Sequence, residues 1–156
     1  MNLALRRATV DDAGLLARHR AAVWSEVGGY TVEELAGVIP RWETFLRERL
    51  ADETYVAFVA DDDGAPVASA GVLILPTMPR PELDSAESAR VQSVFVAPHA
   101  RRRALARTLM DRLVAYARER GLISLTLHPS DEARPLYTSM GFTAADEMQL
   151  RLFTEP

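Results

Sequence analysis

Three consecutive arginines, Arg101, Arg102 and Arg103, stand between an apolar run, Val94-Phe95-Val96, and the start of a helical pattern at Ala104. A strand that feeds a short basic turn and then a helix is suited to phosphate. The first turn of a helix leaves its backbone N–H groups without intrahelical acceptors, and the positive end of the helix dipole lies there. Small residues at Ala104 and Ala106 keep the backbone of Leu105, Ala106 and Arg107 accessible, and arginine adds planar, two-pronged donors. The other chemistry-bearing residues are sparser. The three histidines, His19, His99 and His128, have no metal-ligand spacing, so no metal site is expected.

The elements that must position this turn are legible from periodicity. An alternating first strand starts at Leu3, and Thr9 with Asp12 makes a capping box for a helix from about Val10 to Val27 that Gly28-Gly29 ends. Thr31 and Glu34 open a second helix, with Leu35, Val38, Ile39, Trp42, Leu46 and Leu50 on one face, and Pro40 must kink or split it. Thr54 to Ala60 and Val67 to Leu75 read as a hairpin about Asp62-Asp63-Gly64, with Gly71 marking a bulge or a close backbone approach. A proline-punctuated loop runs from Pro76 to Ser88, near the expected site mouth. The strand Ala89 to Val96 precedes the arginine turn, and an amphipathic helix follows it to Gly121. Ile123 to His128 is a further strand, Asp131 to Met140 a short helix stopped by Gly141, and Glu147 to Phe153 a last strand. The order β-α-α-β-β-β-α-β-α-β predicts a single α/β (α+β) domain over residues 1–156, with helices on both faces of one mixed sheet.

Bulk properties narrow the function. The 156 residues suit one domain, and 48% hydrophobic with 26% charged residues is an ordinary globular balance. The net charge of −4 opposes bulk attraction to nucleic acid or anionic lipid, so the arginine turn is a local site for a small phosphorylated ligand. Cysteine is absent, which excludes disulfides and thiolate chemistry. All 18 basic residues are arginine, which excludes a lysine base or Schiff base. No apolar stretch approaches the ~20 residues needed to span a bilayer, and the start of the chain has no secretory pattern, so a cytoplasmic location is expected.

The run from Val94 to Met110 resembles the acyl-CoA signature of the GNAT superfamily of N-acetyltransferases, Q/R-x-x-G-x-G/A, with Arg101, Ala104 and Ala106 at its fixed positions. Ala104 stands where glycine is the norm. A second segment is similar to the same family: Leu125-Thr126-Leu127-His128-Pro129, then Leu136-Tyr137 and Gly141-Phe142. The resemblance implies a mostly antiparallel mixed sheet with a splayed central strand pair, and acetyl-CoA as cosubstrate. Arg101, Arg103 and the backbone of Ala104 through Arg107 then become phosphate contacts, with Arg102 partly in solvent. The backbone of Val94, Phe95 and Val96 would bind pantetheine, with the Val96 N–H on the thioester oxygen. Ser130, where members often carry Asn, would be a further pantetheine contact.

The implied reaction transfers acetyl from acetyl-CoA to an amine, and the resemblance puts Tyr137 beside the sulfur as general acid. A phenol of reference pKa near ~10 stays protonated until a thiolate forms. The base is open among His128, Asp131, Glu87, Glu26 and none at all. Trp24, Tyr30 and Trp42 are aromatic candidates for the pocket of a small-molecule or peptide amine acceptor. A homodimer is left open. The competing reading is an acyl-CoA-binding or regulatory module with little turnover.

Overall fold

Tyr55-Val56-Ala57-Phe58-Val59-Ala60 is buried at every position, the mark of a strand covered on both faces. Its side chains divide between two layers. Val56, Phe58 and Ala60 pack with Leu105, Leu109, Met110 and Leu113, while Tyr55, Ala57 and Val59 pack with Ala13, Leu16, Ala17 and Leu46. The computed structural model describes residues 2–84 and 87–153. Met1, Ser85, Ala86 and residues 154–156, which fall in the expected 1–156 domain and in the expected loop from Pro76 to Ser88, lie outside the described residues.

The five strands are β1 (Leu3–Arg7), β2 (Tyr55–Asp62), β3 (Ala65–Pro76), β4 (Glu87–Val96) and β5 (Leu125–Thr126), in that order across one sheet. Neighbours from β1 to β4 run antiparallel, and β5 joins β4 in parallel. Helices α1 (Ala13–Gly28), α2 (Val32–Ala36) and α3 (Ile39–Ala51) precede β2, and α1 and α3 supply the inner layer on one face. On the other face lie α4 (Leu105–Arg120) and the short α5 (Arg134–Ser139). Among the described residues no helix is long and apolar enough to cross a membrane, and no cluster of three or more His, Cys, Asp or Glu side chains could hold a metal ion.

Local chemistry explains the boundaries. The Thr9–Asp12 capping box is present, but it opens a 3-10 turn over Val10–Asp12, and α1 starts one turn later. Asp12 also accepts two hydrogen bonds from Arg6, at 2.8 and 3.0 Å, which ties the start of α1 to β1. Pro40 splits the second helix as its missing N–H demands: α2 ends at Ala36 and the proline sits in the first turn of α3. Gly71 marks a close approach and lies opposite a bulge. The β3–β4 register slips at Gly71/Val72, and any Cβ at position 71 would collide with the Tyr55 hydroxyl.

Two expected strands are corrected. Ile123 to His128 pairs only at Leu125 and Thr126, because the chain then turns away from β4. Glu147 to Phe153 alternates like a strand but forms none: Met148, Leu150 and Leu152 are 98%, 82% and 90% exposed, and although Glu147 and Gln149 line a cavity with Leu125 and Thr126, the segment does not pair with β5. The short helix also begins at Arg134 rather than Asp131, since Asp131 to Ala133 make a turn.

His19, on α1, is buried. Its Nδ1 lies 2.8 Å from Ser69 Oγ and its ring stacks on Phe95 with centroids 4.2 Å apart. Burial, helped by the neighbouring charge of Arg18, lowers its pKa from 6.5 to about 4. As pH falls between those values the unfolded chain takes up a proton that the native ring refuses, so stability falls with pH. The His19→Gln variant keeps a hydrogen-bonding group and cannot titrate. In thermal melts at pH 8 and pH 5, roughly bracketing the unperturbed histidine pKa, the parent protein is expected to lose more stability than the variant.

Candidate active site

The site follows from the early parting of β5 from β4. Beyond Arg90, which pairs with Thr126, the outer edge of β4 has no strand beside it. Its backbone groups change direction at the bulge. The amide of Ala89 points at β5 and bonds Ser124 O at 3.0 Å, whereas the amide of Ala97 points at β3 and bonds Val67 O at 2.8 Å. Strand alternation cannot put two odd-numbered residues on opposite edges. The extra residue Gln92 resolves this, because β3 pairs Gly71 with Ser93 and then Val72 with Val91. Past the bulge it is therefore Val94 and Val96 that face the open edge. Phe95 spends its backbone on Ser69 and contributes only its side chain.

Against this edge lies a cavity of about 570 Å³. Val23, Glu26 and Val27 of α1 form one wall, and Ser130, Ala133, Leu136 and Tyr137 form the other. The arginine turn and the start of α4 close one end. A second cavity of about 180 Å³ continues along β4 between Val91–Val94 and Leu127–His128. Val23, Val27, Val94, Ser130, Ala133 and Tyr137 line both.

At the turn, Pro98–Ala100 make a 3-10 turn, Arg101 is extended, and Arg102 and Ala104 are left-handed with φ of 64° and 56°. Ala104 is thus not helical; it is the N-cap of α4 and carries no side-chain cap. Thr108 closes the first helical bond, to Ala104 O at 3.0 Å, so the amides of Leu105, Ala106 and Arg107 precede the ladder and border the cavity. The three arginines diverge. Arg101 donates Nη2 to both oxygens of Glu26 at 2.7 Å, and its Nε to Val96 O at 3.2 Å. Arg102 lines the cavity, whereas Arg103 turns away to Asp62 at 2.8 Å. Arg102 is also exposed to solvent, and Arg103, which the resemblance put at the phosphates, is engaged by Asp62. Arg107 also lines the cavity and reaches Ser139 Oγ at 3.1 Å, which joins α4 to α5.

Tyr137 sits where the cavities meet. It is buried, its ring meets Phe142 edge-on at 5.8 Å, and burial raises the pKa of its phenol. Its position is fixed by the turn after α5, where Gly141 takes φ of 95° and the Phe142 amide returns to Tyr137 O at 3.0 Å. Ser130 caps the turn before α5 by accepting from the Ala133 amide at 3.2 Å.

The expected bases are held elsewhere. His128 Nε2 lies 3.1 Å from Arg90 Nη1, and a guanidinium can only donate, so the lone pair of that ring nitrogen is already used. His128 lines the smaller cavity but not the larger. Glu26 is bound by Arg101, Glu87 is bound by Arg120 at 3.1 and 3.2 Å, and Asp131 is exposed. Trp24, Tyr30 and Trp42 do come together, with centroids 5.3 and 5.8 Å apart. Sequence reasoning missed Val23, Val27, Glu132 and Ser93. The i, i+4 pair Val23/Val27 carried a signal as an apolar helix face. Ser93, whose buried Oγ has no hydrogen-bond partner among the described residues, carried none.

Residues 23–142 match the model of the acetyltransferase (GNAT) family. In structure the chain is similar to a GCN5-related N-acetyltransferase from Ralstonia eutropha JMP134, 30% identical with a TM-score of 0.86, over 97% of this chain and 99% of that one. It is also similar to a predicted acetyltransferase solved with acetyl-CoA from Clostridium acetobutylicum, 23% identical with a TM-score of 0.86, over 97% of each chain. An aminoglycoside N-acetyltransferase in complex with CoA shares the fold at 18% identity and a TM-score of 0.69, over 96% of this chain and 93% of that one. Among curated proteins none matches the sequence.

The left-handed Ala104 makes a stability prediction. An L-residue there costs roughly 1–2 kcal/mol, and glycine gives back part of the relief as chain entropy. Ala104→Gly is expected to raise stability by about 0.5–1 kcal/mol, a rise of roughly 1–4 °C in a thermal melt. Ala104→Val, β-branched at positive φ, is expected to lower it.

Proposed function

The chain belongs to the GNAT family of acetyltransferases, and from that premise we propose that it moves an acetyl group from acetyl-CoA to a primary amine by direct attack on the thioester. The observation that carries this reading is continuity. The open β4 edge, the uncapped start of α4 and Tyr137 all border one cavity of about 570 Å³.

The lining fits a phosphorylated, chain-like ligand along its length. Arg102, Arg107 and the amides of Leu105 to Arg107 suit the phosphates, supported by the dipole of α4. Arg101 contributes through its ion pair, which holds α1 against the turn, and Arg103 supports the turn from β2 through Asp62. The edge groups of Val94 and Val96, roughly 7 Å apart, suit the amides of pantetheine as an added strand would. Val23, Val27 and Leu136 give apolar walls. Ser130 shapes the turn beside the cavity.

Acetyl-CoA supplies a thioester, whose carbonyl carbon is attacked by an uncharged amine. A C–N bond forms, the C–S bond breaks, and the electron pair leaves on sulfur. Val94 shares both cavities with Tyr137, so its N–H is better placed than that of Val96 to polarise the thioester oxygen. Tyr137 donates its proton to the departing thiolate, and its raised pKa keeps that proton in place beforehand. The surplus proton of the amine passes to water. His128, engaged with Arg90, walls the acceptor side, and its service as base requires that this contact open.

Tyr137→Phe is expected to lower turnover by roughly 10²-fold or more while leaving acetyl-CoA affinity within about threefold, as for a group used in the transition state. Titration calorimetry and a CoA-release assay check the two separately, and unchanged turnover with chemistry rate-limiting would reduce the phenol to packing. Acetyl-CoA is expected to raise the melting temperature, less so in high salt, and dephosphorylated pantetheine to bind much more weakly. Tight acetyl-CoA binding without release by any amine in a broad screen would favour the binding-module reading. The lysine-free chain is a clean blank for that screen.

A further inference from the structure

Arg20 is a half-buried cation with no carboxylate partner among the described residues. It projects from α1 against both Trp24 and Trp42, with its guanidinium carbon 5.3 and 5.0 Å from their ring centroids. Among the described residues it donates one hydrogen bond, from Nη1 to the carbonyl of Gln92 at 3.1 Å, at the β4 bulge. A guanidinium has five N–H donors, so most of its capacity is unspent. Burial lowers its pKa, and the neighbouring Tyr55 opposes that in part. Leaving such a charge unpaired is costly.

A cavity of about 250 Å³ opens onto it. Trp42, Phe45 and Leu73 give apolar walls, and Arg20, Tyr55 and Gln92 supply the polar ones. The Tyr55 hydroxyl has no hydrogen-bond partner among the described residues and is seated against the bare backbone of Gly71. Burial pushes its pKa up to about 12, so it is a donor at ordinary pH. A guanidinium and a phenol O–H in one small apolar box are complementary to a carboxylate.

The box adjoins the reaction site. Gln92 lines both this cavity and the 180 Å³ cavity that contains Val94 and Tyr137. Arg20, Val23 and Val27 occupy one face of α1 at i, i+3 and i+7, so the same helix face borders the Arg20 cavity and the cavities along β4. Gln92 and Val94 are roughly 7 Å apart along the strand, within the span of a carboxylate and an amine on one small molecule.

We propose that Arg20 and Tyr55 form the acceptor subsite and bind a carboxylate, so that the acceptor is a small amino acid-like amine with an apolar body. The inference rests on the acetyl-transfer reading. A role for Arg20 only as a strut beneath the bulge would slow every acceptor alike, whereas a carboxylate subsite discriminates among them.

The test pairs leucine, methionine and phenylalanine with their amides in a CoA-release assay. The amides carry the more readily deprotonated amine, so a preference for the free acids reports recognition. The acids are expected to show a kcat/KM at least about 10-fold higher, the worth of one charge-assisted contact. Arg20→Gln is expected to abolish that preference, mainly through KM, and Arg20→Lys to restore part of it. Tyr55→Phe, which removes only a hydroxyl, is expected to raise KM for the acids about threefold to 10-fold and to leave KM for the amides unchanged. Equal use of acids and amides, or a preference that survives in both Arg20→Gln and Tyr55→Phe, would overturn the subsite. Release with spermidine or aminoglycosides but not with the acids would overturn it while leaving acetyl transfer intact. Release with no amine at all would remove the transfer reading itself, and this inference with it.

Discussion

The parting of β5 from β4 after Arg90–Thr126 is the constraint on which the rest of this protein depends. A strand in mid-sheet satisfies its backbone on both sides, and an edge strand offers half of its groups to whatever comes next. Here β4 is central in sequence and core packing, yet an edge over its last residues. The walls that α1 and α5 raise on either side turn that edge into a cleft rather than a docking surface. Tyr137 reaches the cleft because α5 begins where the diverging chain ends, so the acid and the strand edge are consequences of the same departure.

The arginine turn is pinned from two directions. Arg101 holds Glu26 at the end of α1, and Arg103 holds Asp62 at the end of β2. Partly exposed ion pairs of this kind contribute about 0–1 kcal/mol each, so their value lies in placement. They fix a segment that has two left-handed residues and therefore an intrinsic tendency to relax. What remains between the two anchors is Arg102 and the bare start of α4, both aimed at the cleft.

Elements written in local chemistry were legible in the sequence. Caps, the Pro40 break and the turn-to-helix signal depend on residues within a few positions of each other, and Gly71 announced itself by its type alone. What was not legible depends on partners far along the chain. Arg103 meets a residue 41 positions away and Arg20 one 72 positions away, and neither pairing leaves a trace in spacing. Arg20 on an otherwise packed helix face reads as a tolerated surface charge until Trp42 and the bulged carbonyl are brought beside it. Glu147 to Phe153 shows the opposite failure: its alternation is real, but a strand is a relation between two segments, and pattern alone cannot supply the second.

The bulge at Gln92 also makes the site a matter of counting. One extra residue decides that even-numbered positions, Val94 and Val96, face the cleft, while Phe95 and Ala97 bond to β3. Deleting Gln92 would leave Val91 and Ser93 opposite Val72 and Gly71 in a regular ladder, with Val94 and Val96 still at the edge; what would go is the carbonyl that holds Arg20 and the Gln92 wall of the smaller cavity. A residue lost between Ser93 and Val96, where the ladder is regular, would instead exchange the two sets, so the same one-residue change is absorbed at the bulge and inverts the cleft a few positions later.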